Sequence, residues 1–414
     1  MQAPPQSPIP DGLWKAAMHI SAIGLTMRVA YSLFTQSKVA KEPAAEILRR
    51  INELTLPDDK EEMETILLEL LGMLDNEARS KTGSCKNVIY ANMKVFIDKT
   101  LRGVHDASIL LRAVKIVSNC CADTVCKGEF ARLGGVRVLV TLLQNAHEAS
   151  NLSLMEEIAA TLQECTYVPI ELIILPSDVP AEAKGAAALA KVSSLRSMLR
   201  TLDLNARSNF LNSMVTIFGS VCALRQGALI VGQGLDGKKG IEFFIPLLEH
   251  PHAPLVAAAT RVIQSMIRHD MYTCREIFER GEVTGKLIDL LGDQRDPSIV
   301  LATLRIISVF INEQKLLREF ILRDGLDGLF TVWCTGNDAI LRDSAEQCIL
   351  EIEADKTWKG AVERAREVYR TLIQRRAEND DKEKKQQMQQ MQQQRMFQQM
   401  MMEQLGISPE MMEE

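Results

Sequence analysis

Apolar residues along most of this chain recur three or four positions apart, the spacing that places them on one face of an α-helix. In the stretch 60–74, apolar residues recur at this spacing at Met63, Ile66, Leu67, Leu70, Leu71 and Leu74. No window shows sustained alternation of apolar and polar residues between turn residues, so strands should be nearly absent. The sequence therefore predicts an all-α fold.

A block of five mostly apolar residues recurs in the same setting. The clearest copy is Leu139–Leu143, which follows Gly134 and Gly135. The other copies begin at Leu195, Phe244, Leu287 and Leu329, so the intervals between starts are 56, 49, 43 and 42 residues. Repetition at roughly 40–50 residues is typical of helical solenoids, in which no single repeat buries its own apolar face. Such proteins act by presenting a long surface to a partner.

The sequence divides into four predicted segments. We expect a flexible leader at 1–12, N-terminal capping helices at 13–83, repeats at 84–373, and a charged linker with a Gln/Met-rich tail at 374–414. The insertion 169–185 lengthens one repeat, accounts for the interval of 56 residues and predicts an exposed loop.

The low-complexity tail is a candidate binding segment. Glutamines flank an apolar side of this tail that contains Met388, Met391, Met396, Phe397, Met400 and Met401. Methionine side chains adapt to irregular partners, so methionine-rich faces are typical of surfaces that bind several proteins. The alternatives are a tail that folds onto its own solenoid and a disordered tail of incidental composition.

Two adjoining motifs resemble the armadillo repeat. They are Ala113–Asn119 (Ala-Val-Lys-Ile-Val-Ser-Asn) and Glu129–Leu143, in which Gly-Gly-Val precedes the apolar block. The resemblance extends over about 84–355 with variable fidelity. It implies an all-α, right-handed armadillo-type superhelix of three-helix units, whose third helices line a concave groove that binds protein segments.

Armadillo proteins of the nuclear-import type hold basic peptides with a ladder of Trp and Asn on their third helices. Here the Trp positions align with Lys115, Thr161, Thr216, Arg261 and Arg305, and the Asn positions with Asn119, Cys165, Ser220, Ser265 and Val309. The ladder contains no Trp, so the sequence departs from the import adaptors. Lys115, Arg261 and Arg305 would instead favour an acidic ligand, because Arg binds carboxylates through two hydrogen bonds. The alternative is that all three are ordinary solvated residues.

Charge and cysteine usage limit the partners and the compartment. The formal net charge of −6 gives no general attraction to nucleic acid. Nine cysteines, odd in number and scattered, are typical of small buried hydrophobes in a reducing compartment. We therefore expect a cytoplasmic protein.

The N-terminal apolar stretch 13–34 is interrupted by Lys15, His19 and Arg28, which predicts that it does not span a membrane. The stretch contains no acidic residue, which leaves open the alternative that residues 13–40 act as a mitochondrial presequence.

One glycine-rich motif resembles a nucleotide-binding loop. Gly232, Gly234 and Gly237 match the dinucleotide-binding spacing, and Lys238 nearly completes a P-loop. Both chemistries require a preceding β-strand, whereas the flanks here predict helices. We find no catalytic or metal-binding pattern, and expect no cofactor and no enzymatic activity.

The sequence favours a non-catalytic scaffold or adaptor that binds extended or helical protein segments. The first alternative is a co-chaperone that holds clients with the solenoid and the Met/Gln-rich tail. The second is a nucleotide-dependent regulator that uses the loop 231–240. Partner identity and oligomeric state stay open.

Overall fold

The computed structural model describes residues 43–404, apart from 55–58, 81–83, 104–105, 169–178, 204, 270–273, 276, 279–281 and 294–295. The predicted leader, the residues of the capping segment before 43, and the end of the tail lie outside the described residues. Within the described part, the regular secondary structure is helical and no strand forms, which confirms the all-α prediction.

The chain divides into two compact units, Met1–Gly240 and Ile241–Glu414. In the first unit the described helices are α1 (Pro43–Glu53), α2 (Lys60–Ser80), α3 (Ser84–Ala91), α4 (Met93–Phe96), α5 (Ala107–Cys121), α6 (Thr124–Arg132), α7 (Gly135–Glu148), α8 (Leu152–Thr166), α9 (Lys184–Ala190), α10 (Ser208–Cys222) and α11 (Arg225–Gly232). In the second unit they are α12 (Ala253–His269), α13 (Glu282–Leu291), α14 (Pro297–Phe310), α15 (Gln314–Leu322), α16 (Gly325–Thr335), α17 (Ala339–Ala354), α18 (Lys359–Val368) and α19 (Arg370–Gln404).

Helices come in trios of a short, a middle and a long member, of which α6, α7 and α8 are the clearest example. The long helices α2, α5, α8 and α10 pack side by side in that order in the first unit, and α12, α14 and α17 do so in the second. Their inward faces carry fully buried aliphatic residues such as Ile116 on α5 and Ile158 on α8. Within each unit these buried faces form a continuous apolar spine that links one trio to the next.

Side-chain caps fix where several of these helices begin. The carboxylates or amides of Asp106, Asp123, Asn151, Asp296 and Asp338 each accept a hydrogen bond from a backbone N–H in the first turn of α5, α6, α8, α14 and α17. A cap of this kind stabilises a helix by about 1 kcal/mol. The caps therefore set which residues of each long helix face inward.

A phenylalanine packed against a glycine joins the short and middle helices of one trio in each unit. A Cβ added to Gly135, the first residue of α7, would lie 2.3 Å from the ring of Phe130 on α6. The same atom on Gly325 of α16 would lie 2.4 Å from the ring of Phe320 on α15. Only a residue without a side chain permits this approach, so the Gly in front of the apolar block is explained by packing.

Two of the five apolar blocks do not form α-helices. Residues in the block at Leu195 form the 3₁₀-helix Ser197–Thr201, and those in the block at Phe244 form the 3₁₀-helix Ile245–Glu249. In the latter, an α-helix that began at Gly240, as α7 begins at Gly135, would place Pro246 in its interior, where the missing N–H would break the hydrogen-bond ladder. In the former, the Ser197 hydroxyl donates to the Ser194 carbonyl over 2.7 Å and so offers the backbone a local alternative.

Two helices extend across expected segment boundaries. The insertion 169–185 is not loop throughout, because its last residues enter α9, and Gly185 is buried there. The boundary at 374 falls within α19, which runs without interruption from Arg370 to Gln404. Tyr369 anchors the start of α19, since its ring stacks on Phe330 at 5.4 Å and its hydroxyl donates to the Asp327 carbonyl.

Substitution of Gly135 or Gly325 by Ala should lower the free energy of unfolding by about 1–3 kcal/mol, because the new methyl group overlaps a buried phenylalanine ring. Gly72→Ala in α2 is the matched control, since an added Cβ there meets no atom within 4 Å. Alanine favours the helix, so that variant should gain up to about 1 kcal/mol. Urea denaturation followed by circular dichroism measures all three; unchanged stability of Gly135→Ala would refute the packing explanation.

Candidate protein-binding surface

The ninth residue of each long helix marks the side of the helix that faces away from the core. In the first unit these residues are Lys115, Ala160 and Thr216, on α5, α8 and α10; in the second they are Arg261, Arg305 and Gln347, on α12, α14 and α17. Each is exposed or half-buried. We call the outward sides of α5, α8 and α10 the first ladder face, and those of α12, α14 and α17 the second ladder face.

The sequence alignment of ladder positions is wrong by one residue on α8. Thr161 and Cys165 are fully buried, and the Thr161 hydroxyl hydrogen-bonds the Val114 carbonyl on α5. The outward residues are Ala160 and Glu164. The reason is that Asn151 caps α8 and fixes its first residue, a position that the motif alignment did not use.

Ion pairs and carboxylates give the first ladder face a mixed charge. Arg112 on α5 pairs with Glu64 on α2, and Arg207 pairs with Glu156 over 3.1 Å. Lys115 is exposed, and so is Asn119 four residues later. The positive charge of Lys115 acts on Glu157 of α8, whose pKa is nevertheless raised above its ordinary value because the carboxyl is partly buried. The first face is therefore not the purely cationic surface that the sequence suggested.

The second ladder face keeps two cations without partners. Arg261 and Arg305 occupy equivalent positions on α12 and α14, two helices that pack side by side. Arg305 is exposed and Arg261 half-buried, and neither guanidinium forms an ion pair with the described residues. On the neighbouring α17, the Gln347 amide donates to Glu351 over 2.9 Å. The two arginines are thus free to meet an external anion.

The methionine-bearing end of the chain is helical and exposed. Met388, Met391 and Met396 on α19 are 57%, 55% and 57% exposed. Phe397, Met400 and Met401 belong to the same helix. α19 packs against α16 and α18 near its start, where Ile373 joins the core. Met388, Met391 and Met396 therefore lie in solvent.

The Gly-rich loop 231–240 lacks the setting that nucleotide binding requires. It follows helix α11 rather than a strand. Its centre is a tight turn in which Leu235 and Lys238 exchange backbone hydrogen bonds of 3.0 Å, with positive φ at Asp236 and Gly237. The carbonyl of Gly234 accepts a hydrogen bond from Arg196 over 2.8 Å. These contacts close the loop on its own unit.

Cysteine chemistry and metal ligation add no further site. None of the nine cysteines forms a disulfide; eight are buried and Cys334 is half-buried. Burial raises the pKa of Cys85 and of Cys126 to about 12, so both thiols stay protonated. Among the described residues, no three His, Cys, Asp or Glu side chains come together as a metal site. No described helix is long and apolar enough to cross a membrane.

Comparison with solved structures places the fold among helical repeat proteins. An engineered protein superposes with a TM-score of 0.51 at 15% sequence identity, over 64% of this chain and 97% of its own. A designed armadillo repeat protein gives 0.51 at 13% identity, over 62% of this chain and 98% of its own. Computationally designed armadillo repeat proteins for modular peptide recognition give 0.50 at 14% identity, with the same coverage. No family model and no curated protein matches the sequence. The chain has an armadillo-like helical repeat fold.

Replacement of Glu157 by Gln should stabilise the protein at about pH 7 and have less effect at about pH 4. The folded-state pKa of Glu157 is raised, so the ionised carboxylate opposes folding above that pKa, and the penalty disappears once the group is protonated. Urea denaturation at the two pH values measures this. Glu156→Gln is the matched control; it removes the ion pair with Arg207 and should leave stability unchanged or lower it by up to about 1 kcal/mol. A destabilised Glu157→Gln at neutral pH would contradict the expectation.

Proposed function

We propose that this protein is a non-catalytic scaffold that binds an acidic, extended or helical segment of a partner protein on its second ladder face. The proposal rests on one observation: two arginines that form no ion pair with the described residues lie at equivalent positions of adjacent helices, Arg261 on α12 and Arg305 on α14. A guanidinium meets a carboxylate through two parallel hydrogen bonds. Arginines repeated on successive helices therefore suit carboxylates repeated along one segment.

The fold supports this assignment independently of the charges. Side-by-side long helices present a row of equivalent outward positions, and such rows suit linear ligands because each helix meets one part of the chain. Designed armadillo repeat proteins of the same fold were made for modular peptide recognition. The free cysteines fit a reducing compartment, and we place the scaffold in the cytoplasm.

Reversal of both charges, Arg261→Glu with Arg305→Glu, should weaken binding of a fluorescein-labelled, glutamate-rich peptide by about tenfold or more at low salt, and added salt should weaken wild-type binding. Fluorescence anisotropy measures the affinity. Arg318→Glu with Lys359→Glu is the matched control, because it changes the net charge equally at exposed positions of α15 and α18. Equal affinity of the two double variants would count against the second ladder face.

A second candidate function, holding of unfolded clients, is favoured by the exposed methionines of α19. Met388, Met391 and Met396 are more than half exposed on a helix whose packing is confined to its beginning. Flexible apolar side chains of this kind suit clients of irregular shape. In this role the tail, and not the ladder face, carries the binding.

Truncation after Arg376 separates the two functions. The cut removes the exposed part of α19 and leaves Tyr369 and Ile373, which pack on the core of the second unit. If the tail holds clients, the full chain should suppress aggregation of heat-denatured citrate synthase, measured by light scattering, and the truncated chain should not. Equal suppression by both would remove the tail from this role, whereas the peptide affinity of the second ladder face should be the same in both.

A further inference from the structure

A cleft in the first unit lies apart from the ladder faces. It has a volume of about 750 Å³ and is bounded by the end of α6, the first turn of α7, α9 and the residues that follow α9. None of its lining residues belongs to the long helices α5, α8 or α10. α9 packs against both α6 and α7, so the cleft is held by three elements of one compact unit.

The rim of the cleft is cationic. Arg132, Arg137, Lys184 and Lys191 line it, and no Asp or Glu is among the described residues that line it. Arg132 pairs with Glu129 over 2.5 Å, so its charge is largely offset. Arg137, Lys184 and Lys191 are exposed and form no ion pair with the described residues. Three positive charges thus surround the opening without a counter-charge from the described part of the unit.

The floor of the cleft is apolar. Ala131 and Val136 are buried there, and Ala187, Ala188 and Val192 are half-buried. A cavity of this size accommodates several side chains. Small alanines on α9 keep the space open, because longer side chains at those positions would fill it. Burial of an apolar side chain on this floor would stabilise a complex in proportion to the area covered.

We propose that this cleft is a second binding site, for a partner segment in which acidic residues flank a pair of apolar ones. The apolar pair would lie on the floor at Val136 and Ala187, and the flanking carboxylates would meet Arg137, Lys184 and Lys191. Charge complementarity commits the site to an acidic occupant, since the described lining residues include four cations and no carboxylate. The site is independent of the second ladder face, so that the scaffold holds two segments at once.

The test uses a fluorescein-labelled peptide in which glutamates flank a Leu-Ile pair, with a lysine-for-glutamate peptide for comparison. All variants carry Arg261→Glu and Arg305→Glu, so that the second ladder face does not contribute. The protein that carries only these two substitutions is the parent, and it should bind the acidic peptide and not the basic one. Adding Lys184→Glu with Lys191→Glu should weaken binding by about tenfold or more, whereas Lys184→Arg with Lys191→Arg should preserve it. Lys94→Glu with Arg225→Glu, exposed positions of the same unit away from the cleft, should leave the affinity unchanged.

Zero-length cross-linking with a carbodiimide locates the peptide. Mass spectrometry should find its carboxylates joined to Lys184 or Lys191 in the parent, with those cross-links absent from the arginine variant although that variant binds. Failure of the parent to bind, or equal binding after charge reversal, would overturn the proposal. Cross-links of Lys184 or Lys191 to Glu171 or Asp178 of the free protein would also overturn it, because the cations would then serve the chain's own connecting segment. The affinity of the protein with Arg261 and Arg305 intact for the glutamate-rich peptide is measured separately, and that affinity tests the proposed function.

Discussion

The contact between a phenylalanine ring and a glycine backbone sets the geometry of the trios on which the rest depends. Phe130 meets Gly135 where α6 turns into α7, and Phe320 meets Gly325 where α15 turns into α16. The residue before each glycine, Gly134 or Asp324, has positive φ, so the chain reverses direction within a few residues. Because one trio in each unit uses the same contact, the turn between its short and middle helices follows from local packing.

Much of the fold follows from the sequence because helix patterns and caps are local. The apolar spacing, the Gly that precedes a block, and the Asp or Asn that begins a long helix lie within a few residues of what they determine. The 3₁₀ conformation of the blocks at Leu195 and Phe244 does not follow from the sequence pattern, since apolar content alone does not distinguish an α-helix from a 3₁₀-helix. There a serine hydroxyl and a proline decide the outcome. The ladder position on α8 was misplaced because a cap, rather than a motif, sets its register.

The candidate sites were less accessible to sequence reasoning, because charge depends on neighbours distant in the chain. The spacing groups Lys115 with Arg261 and Arg305, yet in the structure the charge of Lys115 acts on Glu157 of the neighbouring helix α8. The cleft beside α9 had no sequence signal, since it arises where an irregular repeat leaves space between elements. A basic residue could be found by its spacing; whether it lacks a partner could be found only from the fold.

The continuous backbone of α19 has a mechanical consequence. A helix rises about 1.5 Å per residue, so the stretch from Arg376 to Gln404 reaches roughly 40 Å beyond the body of the second unit. The length of α19 sets both the distance and the orientation of its far end. Each residue added or removed would rotate that end by about 100 degrees about the helix axis. The number of residues in α19 therefore sets the distance and the angle at which its far end lies from the core of the second unit.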